Sequence, residues 1–183
     1  MRRLVVWNAM TLDGYFEGRK PWDLGFHETV WGEELEAFSL AQGKEIGTLL
    51  FGRRTYEGMA AHWTTATGAV ADMMNAVEKA VATRTLDAAT WNNTRLLKGD
   101  AVAAVRGLKA EAGKDIYVFG SADLLASLLA AGLVDEYRVC VAPVVLGGGN
   151  PLFKPQDQQI KLRLEGARPL KTGGVILTYA VGG

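Results

Sequence analysis

The feature that most constrains the fold is a repeated change of hydrophobic pattern, from a short apolar run to helical spacing across a tight turn. In "KDIYVFGSADLLASLLAAG" the apolar run 116–119 stops at Gly120, and leucines at helical spacing follow. The same change occurs in "TLLFGRRTYEGM". Strands that alternate with helices form mainly parallel sheets covered by helices on both faces. We therefore predict an α/β fold with a mixed, mainly parallel sheet.

The remaining segments extend this pattern over the chain without a linker or repeat, so we predict a single domain over residues 1–183. We expect strands in "RLVVWNAM", "AVATRTL" and "TRLLKG", and helices in "VADMMNAVEKA" and in "DAVAAVRGLKAEAG", where Asp100 and Gly113 mark the limits. Trp31, Leu35 and Phe38 predict an amphipathic helix from Glu28 to Lys44. Residues 11–25 are expected to form a loop. The tail, residues 159–182, alternates about a Gly-Gly turn and predicts an antiparallel hairpin.

Charge and composition exclude several classes of partner. Lysines plus arginines and aspartates plus glutamates number 20 each, so no field of one sign favours nucleic acid or an anionic membrane. The apolar run near the start breaks at Asn8, and no segment approaches a membrane span, so we expect a cytoplasmic protein. Cys140 stands alone and is expected to pack rather than react. His27 and His62 lack metal-ligand spacing, so no metal site is predicted.

Three predicted strand ends carry residues suited to phosphate. Gly120 and Ser121 open one helix, Ser121 as a candidate cap, although Asp123 in its first turn opposes anion binding. Alone, this turn is equally consistent with a simple strand-to-helix connection. The other two ends carry arginine and threonine, whose side chains suit phosphate oxygens: Gly52, Arg53, Arg54 and Thr55 at one, Thr83, Arg84 and Thr85 at the other.

The three ends together favour a dinucleotide with an additional phosphate, since ligands of open α/β sheets bind at the carboxyl ends of strands. Other nucleotide motifs are missing. No G-x-G-x-x-G follows the first strand, and no G-x-x-x-x-G-K-[ST] or G-x-S-x-G occurs.

Taken together, "MTLDGYF", "FGRRTYEGM", "VATRTL" and "VFGSADLLASLLAAGLVDEYRVCVAPVVLGGGNPLF" resemble the dihydrofolate-reductase-like superfamily. The resemblance is to the reductase domain of bacterial riboflavin biosynthesis and its stand-alone relatives, and it covers nearly the whole chain. It implies a three-layer fold with about eight strands, helices on both faces and the C-terminal hairpin. It also implies an NADPH-dependent oxidoreductase with a small-molecule substrate, and it makes a homodimer an expectation.

The resemblance also implies roles for individual residues. Ala9 and the loop to Asp13 would border the nicotinamide, and Trp22 and Asp23 would touch substrate. Thr83 and Arg84 would lie by the 2′-phosphate. The other phosphates would lie against Gly52, Arg53, Arg54, Thr55, Gly120, Ser121, Ala122, Asp123 and Leu124. The bare turn at Gly120 would then exist to admit the pyrophosphate.

The implied chemistry is hydride transfer to a C=N or C=O carbon. Asp13 and Glu57 are the candidate proton donors, but Asp13 can instead close a turn before Gly14, and Glu57 can be a surface residue of a helix. Trp22 can equally anchor its loop.

Two departures limit the substrate prediction. Trp7 and Phe119 stand where the riboflavin reductase commonly has lysine and glutamate, which favours a flat or apolar substrate over a sugar phosphate. The zinc deaminase half, with its H-x-E and P-C-x-x-C motifs, is missing. The alternatives are therefore an aminouracil ribosyl reductase of riboflavin synthesis, a dihydrofolate reductase-type enzyme, a promiscuous reductase, a non-catalytic NADPH-binding module, or a scaffold that binds no nucleotide.

Overall fold

The computed structural model describes residues 1–182. Its strands are β1 (Leu4–Thr11), β2 (Tyr15–Glu17), β3 (Ile46–Gly52), β4 (Glu78–Thr83), β5 (Thr94–Lys98), β6 (Asp115–Phe119), β7 (Glu136–Ala142), β8 (Asn150–Pro151), β9 (Leu162–Pro169) and β10 (Val175–Val181). Its α-helices are α1 (Glu33–Gly43), α2 (Arg53–Trp63), α3 (Ala69–Ala76), α4 (Ala101–Ala110) and α5 (Ala122–Ala130), and a 3₁₀ helix spans Gly25–Thr29. Within these residues, no helix has the length and apolar content needed to span a membrane.

Eight strands form the central sheet in the order β5-β4-β3-β6-β1-β7-β10-β9. The first six strands in this order run parallel, and β10 lies antiparallel to both β7 and β9. The turn between β9 and β10 is closed by a hydrogen bond from the Leu170 N–H to the Gly174 carbonyl, 2.8 Å. The predicted mixed sheet and its C-terminal hairpin are confirmed.

Helices cover both faces of the sheet because the central strands are apolar on both sides. On the first face, Leu4 and Val6 of β1 pack in a core with side chains of α4 and α5. On the second face, Val5 packs in a core with side chains of α2 and α3, while α1 contributes Leu35 to a third cluster. The carboxyl ends of β1, β3, β4 and β6 therefore lie side by side between two helical layers.

Three predicted helix boundaries were wrong: the start of α1, the end of α3, and the end of α4, which stops at Ala110 rather than Gly113 because Glu111 is extended (φ −65°, ψ 156°). The helix expected over Glu28–Lys44 begins only at Glu33, because Gly32 is fully extended (φ 170°, ψ −179°) and separates it from the 3₁₀ helix. Trp31 accordingly lies outside the buried stripe and is 48 % exposed. The predicted loop 11–25 also contains the short strand β2, which pairs with β8.

The helix predicted in "VADMMNAVEKA" ends at Ala76, and β4 begins two residues later. Lys79 of β4 is fully buried, and its Nζ donates to the Asn75 carbonyl at the end of α3, 2.9 Å away. Burial lowers the pKa of Lys79 to about 8. The sequence pattern placed Lys79 on the surface of the predicted helix. In the structure its ammonium group instead satisfies carbonyls at the end of α3.

Cys140 is fully buried in the third cluster, beneath the 3₁₀ helix. Burial raises the pKa of its thiol to about 11, so the nucleophilic thiolate is disfavoured. The prediction that Cys140 is a packing residue is confirmed.

Candidate active site

Two helices begin at the same edge of the sheet and touch there. Helix α2 begins at Arg53 directly after β3, and α5 begins at Ala122 after β6. Ser121 joins them, since its Oγ accepts a hydrogen bond from the Gly52 N–H (2.9 Å) and its N–H donates to Thr55 Oγ1 (3.1 Å). Helix N termini carry unpaired N–H groups and a partial positive charge. Two of them in contact form a place suited to a multiply charged anion.

The turn before α5 has a glycine, Gly120, at a position where the Thr55 side chain leaves no room for a Cβ. Gly120 has φ 58°, and a Cβ added there would lie 2.8 Å from Thr55 Cγ2. Its N–H donates to Asn8 Oδ1 at 2.8 Å. Thr55 is therefore one sufficient reason for the missing side chain at Gly120, and the pyrophosphate at this turn stays a prediction. The expected cap by Ser121 is wrong, since its hydroxyl binds Gly52 and makes no cap hydrogen bond to α5.

The first-turn amides of α5, at Ala122, Asp123 and Leu124, remain for an anion, because helix geometry gives them no acceptor within the helix. The sequence placed Asp123 in the first turn of α5, where its negative charge would repel an anion. The structure weakens that repulsion. The Asp123 side chain is 94 % exposed, and Lys154 Nζ lies 3.8 Å from Asp123 Oδ1. Lys154 also donates to Asn150 Oδ1, 2.5 Å away. Lys154 adds positive charge near this helix N terminus, and sequence reasoning missed it because 31 residues separate it from Asp123.

Arg53 connects the N terminus of α2 with the turn after β4. Its Nη1 donates to Thr85 Oγ1 at 2.6 Å. Thr83 shapes that turn, since its buried Oγ1 accepts the N–H groups of Thr85 (3.2 Å) and Leu86 (3.0 Å). Arg84, between the two threonines, is exposed. The structure thus brings the second and third predicted strand ends into direct contact.

Glu57 lies one helical turn after Arg53 and pairs with it, Nε to Oε1, at 2.8 Å. Both side chains are about half exposed, at 48 % for Arg53 and 46 % for Glu57. The geometry therefore gives the Glu57 carboxylate a role in orienting the Arg53 guanidinium.

The carboxylate of Asp13 joins two loops at the carboxyl end of β1. It accepts hydrogen bonds from Thr11 Oγ1 (2.6 Å), the Leu146 N–H (3.1 Å) and the Gly147 N–H (2.8 Å). These donors, led by the Thr11 hydroxyl, lower the pKa of Asp13 to about 2. Asp13 is therefore ionised at neutral pH and is suited to fixing the loops rather than to donating a proton.

We predict that Asp13→Asn lowers the melting temperature at neutral pH, because an amide nitrogen would face two N–H donors. The folded pKa is depressed, so the stabilisation by the carboxylate is complete above about pH 4 and is lost as the pH falls toward 2. The difference in melting temperature between the wild type and Asp13→Asn should therefore become smaller as the pH is lowered from about 4 toward 2 in a series of thermal melts. Asp157→Asn, an exposed control, should show no such narrowing. A constant difference down to pH 2 would contradict this assignment.

Trp22 lies in the loop after β2 and reaches across to α2. It has φ 65°, an uncommon conformation for a bulky residue, and its backbone N–H donates to Glu17 Oε1 at 2.5 Å. Its ring lies over Gly58 of α2, where an added Cβ would lie 2.5 Å from Trp22 Cζ3. The neighbouring Asp23 side chain packs back against Gly18 within the same loop. Trp22 therefore anchors the loop on α2, and its 39 % exposed surface is left for a ligand.

We predict that Gly58→Ala displaces the Trp22 ring and speeds tryptic cleavage after Arg19 several-fold. The fold should survive, since alanine favours a helix over glycine by about 1 kcal/mol. Gly107→Ala in α4 is the matched control, because a Cβ there meets no atom within 4 Å. Equal cleavage rates in all three proteins, measured by timed proteolysis and mass spectrometry, would refute the anchoring contact.

Aromatic side chains line the second face beside β1. The rings of Trp7 on β1 and Phe38 on α1 lie 5.2 Å apart, and both are half-buried, as is Ala9 further along β1. Phe119, at the end of β6, packs edge-on against Phe51 with centroids 6.5 Å apart. Trp7 and Phe119, the two positions that differ from the riboflavin reductase pattern, thus place apolar aromatic side chains at this edge of the sheet.

His27, on the 3₁₀ helix, is a titratable group that the sequence analysis weighed only as a metal ligand. Its Nε2 is buried without a hydrogen-bond partner among the described residues, and burial lowers its pKa to about 4. The imidazole is therefore neutral at physiological pH.

The strand order, with a C-terminal antiparallel pair and helix N termini at the carboxyl edge, defines an α/β protein of the dihydrofolate-reductase-like fold. The chain belongs to the RibD C-terminal domain family, whose model matches residues 2–176. The uncharacterized protein YyaP of Bacillus subtilis is 29 % identical over 191 residues, covering 97 % of this chain and 94 % of YyaP. The resemblance drawn from the motifs is confirmed.

Solved structures show the same fold. A protein of Shewanella sp. PV-4 assigned to riboflavin biosynthesis superposes with a TM-score of 0.82 at 20 % identity, covering 99 % of each chain. Dihydrofolate reductase from Enterococcus faecalis, in complex with NADP(H), gives a TM-score of 0.67 at 17 % identity and covers 99 % of this chain and 97 % of that one. RibD from Acinetobacter baumannii gives 0.66 at 16 % identity, and the match covers 100 % of this chain but only 58 % of RibD.

Proposed function

We propose that residues 1–183 form one NADPH-dependent reductase domain that transfers a hydride to a C=N or C=O carbon of a small molecule. The observation that carries this proposal is the contact between the N termini of α2 and α5 through Ser121. Membership of a reductase-type family and the NADP(H) complex of the Enterococcus faecalis enzyme support it.

The residues present fit a dinucleotide phosphate group. The N termini of α2 and α5 are in contact through Ser121, and Arg53 and Arg54 are the first two residues of α2. We propose that the pyrophosphate lies against this pair of helix ends, contacted by residues Gly52, Arg53, Arg54, Thr55, Gly120, Ser121, Ala122, Asp123 and Leu124. Helix-end N–H groups and guanidinium donors are the partners that phosphate oxygens prefer.

The turn after β4 is the proposed position of the 2′-phosphate. Thr83 fixes the turn through its buried hydroxyl, and Arg84 projects from it with an exposed side chain. Arg53 lies within reach of the same turn through Thr85. A phosphate there would gain charge-assisted hydrogen bonds that NAD cannot form, which is the proposed basis of a preference for NADPH.

When bound, NADPH supplies the hydride, and the chain contributes position and electrostatics. We propose that Ala9 borders the nicotinamide and that Trp7, Trp22 and Asp23 border the substrate. We assign Asp13 to holding the two loops that frame this region and Glu57 to orienting Arg53, rather than either to proton transfer. A proton needed by the reaction would then come from solvent.

The aromatic surface of Trp7 and Phe38 supports a flat, weakly charged substrate. A dihydrofolate reductase-type activity therefore stands as the alternative to 5-amino-6-(5-phosphoribosylamino)uracil reduction, and a non-catalytic NADPH-binding module is the alternative from another class. We also propose that two chains associate.

The test is NADPH oxidation, followed by absorbance, with a panel that begins with the deaminated riboflavin intermediate and dihydrofolate. Turnover with either compound, lost in a protein lacking Arg53 and Arg84, is the expected result. NADPH binding without oxidation across the panel would favour the binding module instead.

A further inference from the structure

Strand β1 extends further than its neighbour β6 at the carboxyl edge of the sheet. The parallel register pairs Leu4–Trp7 with Ile116–Phe119, and β6 ends there. Within residues 1–182, positions 8–11 pair with β7 alone. Asn8 is therefore the first residue of β1 beyond the end of β6, beside the Gly120 turn that leads into α5. Ligands of open α/β sheets bind in crevices of this kind, outside the carboxyl ends of the strands.

Asn8 is a polar residue at a position where the pattern of the strand favours an apolar one. Val6 and Met10, two residues away in each direction, point to the same face as Asn8 and pack in the core that contains α5 side chains. Asn8 is only 7 % exposed. A buried polar side chain lowers stability unless its polar atoms have partners. Packing alone therefore does not explain an amide at this position.

Only one of the two polar atoms of the Asn8 amide has a partner. Oδ1 accepts a hydrogen bond from the Gly120 N–H at 2.8 Å, whereas Nδ2 is buried and has no acceptor among residues 1–182. Rotating the amide by half a turn would not help, because Nδ2 would then face the Gly120 N–H as one donor against another. Native proteins leave few buried donors unpaired, since each costs free energy. The missing partner is an acceptor.

The groups around the Asn8 amide indicate which kind of acceptor fits. Nδ2 and Oδ1 are bonded to the same carbon, so Nδ2 lies at the turn that leads into the first-turn amides of α5. Those amides are also donors without a partner in their own helix. The Asp123 carboxylate is 94 % exposed, so it does not lie against the buried amide. A phosphate, with several oxygens and a negative charge, is the acceptor that suits these donors together.

The backbone of the same turn allows a ligand to reach Nδ2. Gly120 and Ser121 both lie in the left-handed region, with φ 58° each. This conformation is uncommon for serine, and hydrogen bonds with Gly52 and Thr55 maintain it. The turn is thus held in an unfavourable backbone conformation, and a small displacement of it by a bound ligand would uncover the Asn8 amide.

We infer that Asn8 is a cofactor-binding residue whose Nδ2 donates a hydrogen bond to a pyrophosphate oxygen of NADPH, while its Oδ1 keeps the amide at the Gly120 turn. This role rests on the proposed function and deepens it, because it adds a neutral donor from β1 to the two helix ends. The sequence pattern showed Asn8 only as a break in an apolar run, and its partner Gly120 is 112 residues away.

Asn8→Asp is the test variant, because its carboxylate keeps an acceptor for the Gly120 N–H and puts a negatively charged oxygen in place of Nδ2. The variant should stay folded by circular dichroism and should bind NADPH at least about tenfold more weakly than the wild type in calorimetric titration. Asn92→Asp is the charge-matched control. Asn92 is exposed and precedes β5, at the opposite edge of the sheet, so this variant should bind NADPH like the wild type.

The outcomes separate this inference from the proposed function. A folded Asn8→Asp protein that binds NADPH as tightly as the wild type, or an equal loss in Asn92→Asp, would overturn the role of Asn8 and leave the proposed function standing. A wild type that binds no NADPH would overturn both.

Nuclear magnetic resonance of the nitrogen-15-labelled wild type provides a second measurement that needs no variant. The side-chain NH2 signals of Asn8, assigned through the backbone, should shift on titration with NADPH and with inorganic pyrophosphate, while those of Asn92 stay in place. Unchanged Asn8 signals at saturating NADPH would overturn the inference.

Discussion

Replacing Arg53 and Arg84 together by alanine is expected to weaken NADPH binding by at least about a hundredfold, because each guanidinium would lose a charge-assisted contact of about 1.5–3 kcal/mol. The free energy of unfolding should change little. Arg53 is half exposed, its ion pair with Glu57 is of the exposed i,i+4 kind, and Arg84 is exposed. Calorimetric titration with NADPH and a urea unfolding curve measure the two quantities.

The charge-matched control is Arg106→Ala/Arg163→Ala, which removes two exposed arginines outside the candidate site. Its NADPH affinity should equal that of the wild type. If both double variants weaken binding equally, the effect is one of net charge. If the Arg53 and Arg84 variant loses stability and affinity to the same degree, the two arginines are structural and the phosphate assignment is wrong.

Gly120→Ala is expected to destabilise the chain by about 2–5 kcal/mol and to abolish tight NADPH binding. A side chain at φ 58° costs about 1–2 kcal/mol, and the overlap with Thr55 Cγ2 at 2.8 Å adds about 1–3 kcal/mol. Relief of the overlap would push Thr55 away from the Ser121 N–H and separate the helix ends. Urea unfolding and NADPH titration give the two results.

Gly132→Ala separates the two costs, because Gly132 has a similar φ of 65° but a Cβ there meets nothing within 4 Å. It should lose only about 1–2 kcal/mol, the backbone cost alone. Thr55→Ser removes the clashing methyl, so adding it to Gly120→Ala should recover part of the lost stability. Equal losses for the two glycine variants, or no recovery in the double variant, would show that Thr55 does not control the turn.

The sheet was predictable because each central strand is short, apolar and bounded by turn residues, as in the segment from Ile116 through Gly120. The C-terminal hairpin was predictable from its alternation about a Gly-Gly turn. The start of α1 was not, because Trp31 fits the helical spacing of Leu35 and Phe38 although Gly32 breaks the helix. Periodicity reports which positions share a face, and it does not report where the backbone changes direction.

The candidate site was predictable as three strand ends but not as a set of contacts. Ser121 is separated by 66 residues from Thr55, and Asp13 by 133 from Leu146, so no local pattern predicts these hydrogen bonds. Asp13 and Ser121 were assigned from their own neighbourhoods in the chain, as a turn residue or acid and as a helix cap. The fold gives them partners from distant loops and strands. At Asp13 the Leu146 and Gly147 N–H groups add to the nearby Thr11 hydroxyl in lowering the pKa, and at Ser121 the bond from Gly52 takes the hydroxyl away from capping α5.

Gly120 shows why a motif and its physical cause can differ. The position of Gly120 between strand and helix suggested a ligand at close approach. The structure shows that the Thr55 side chain also lies against this turn, where its Oγ1 accepts the Ser121 N–H and connects α2 with α5. The proposed anion site therefore rests on the pair of helix ends and not on the glycine alone.

The most direct test of the central claim is the binding of NADPH and of NADH to the purified wild-type protein, compared by calorimetric titration. We predict that NADPH binds at least about tenfold more tightly than NADH, through contacts of the 2′-phosphate with the turn that carries Thr83 and Arg84. Equal affinities for NADPH and NADH would show that the turn carrying Thr83 and Arg84 does not bind the 2′-phosphate. Binding of neither nucleotide would contradict the reductase assignment and leave only the fold.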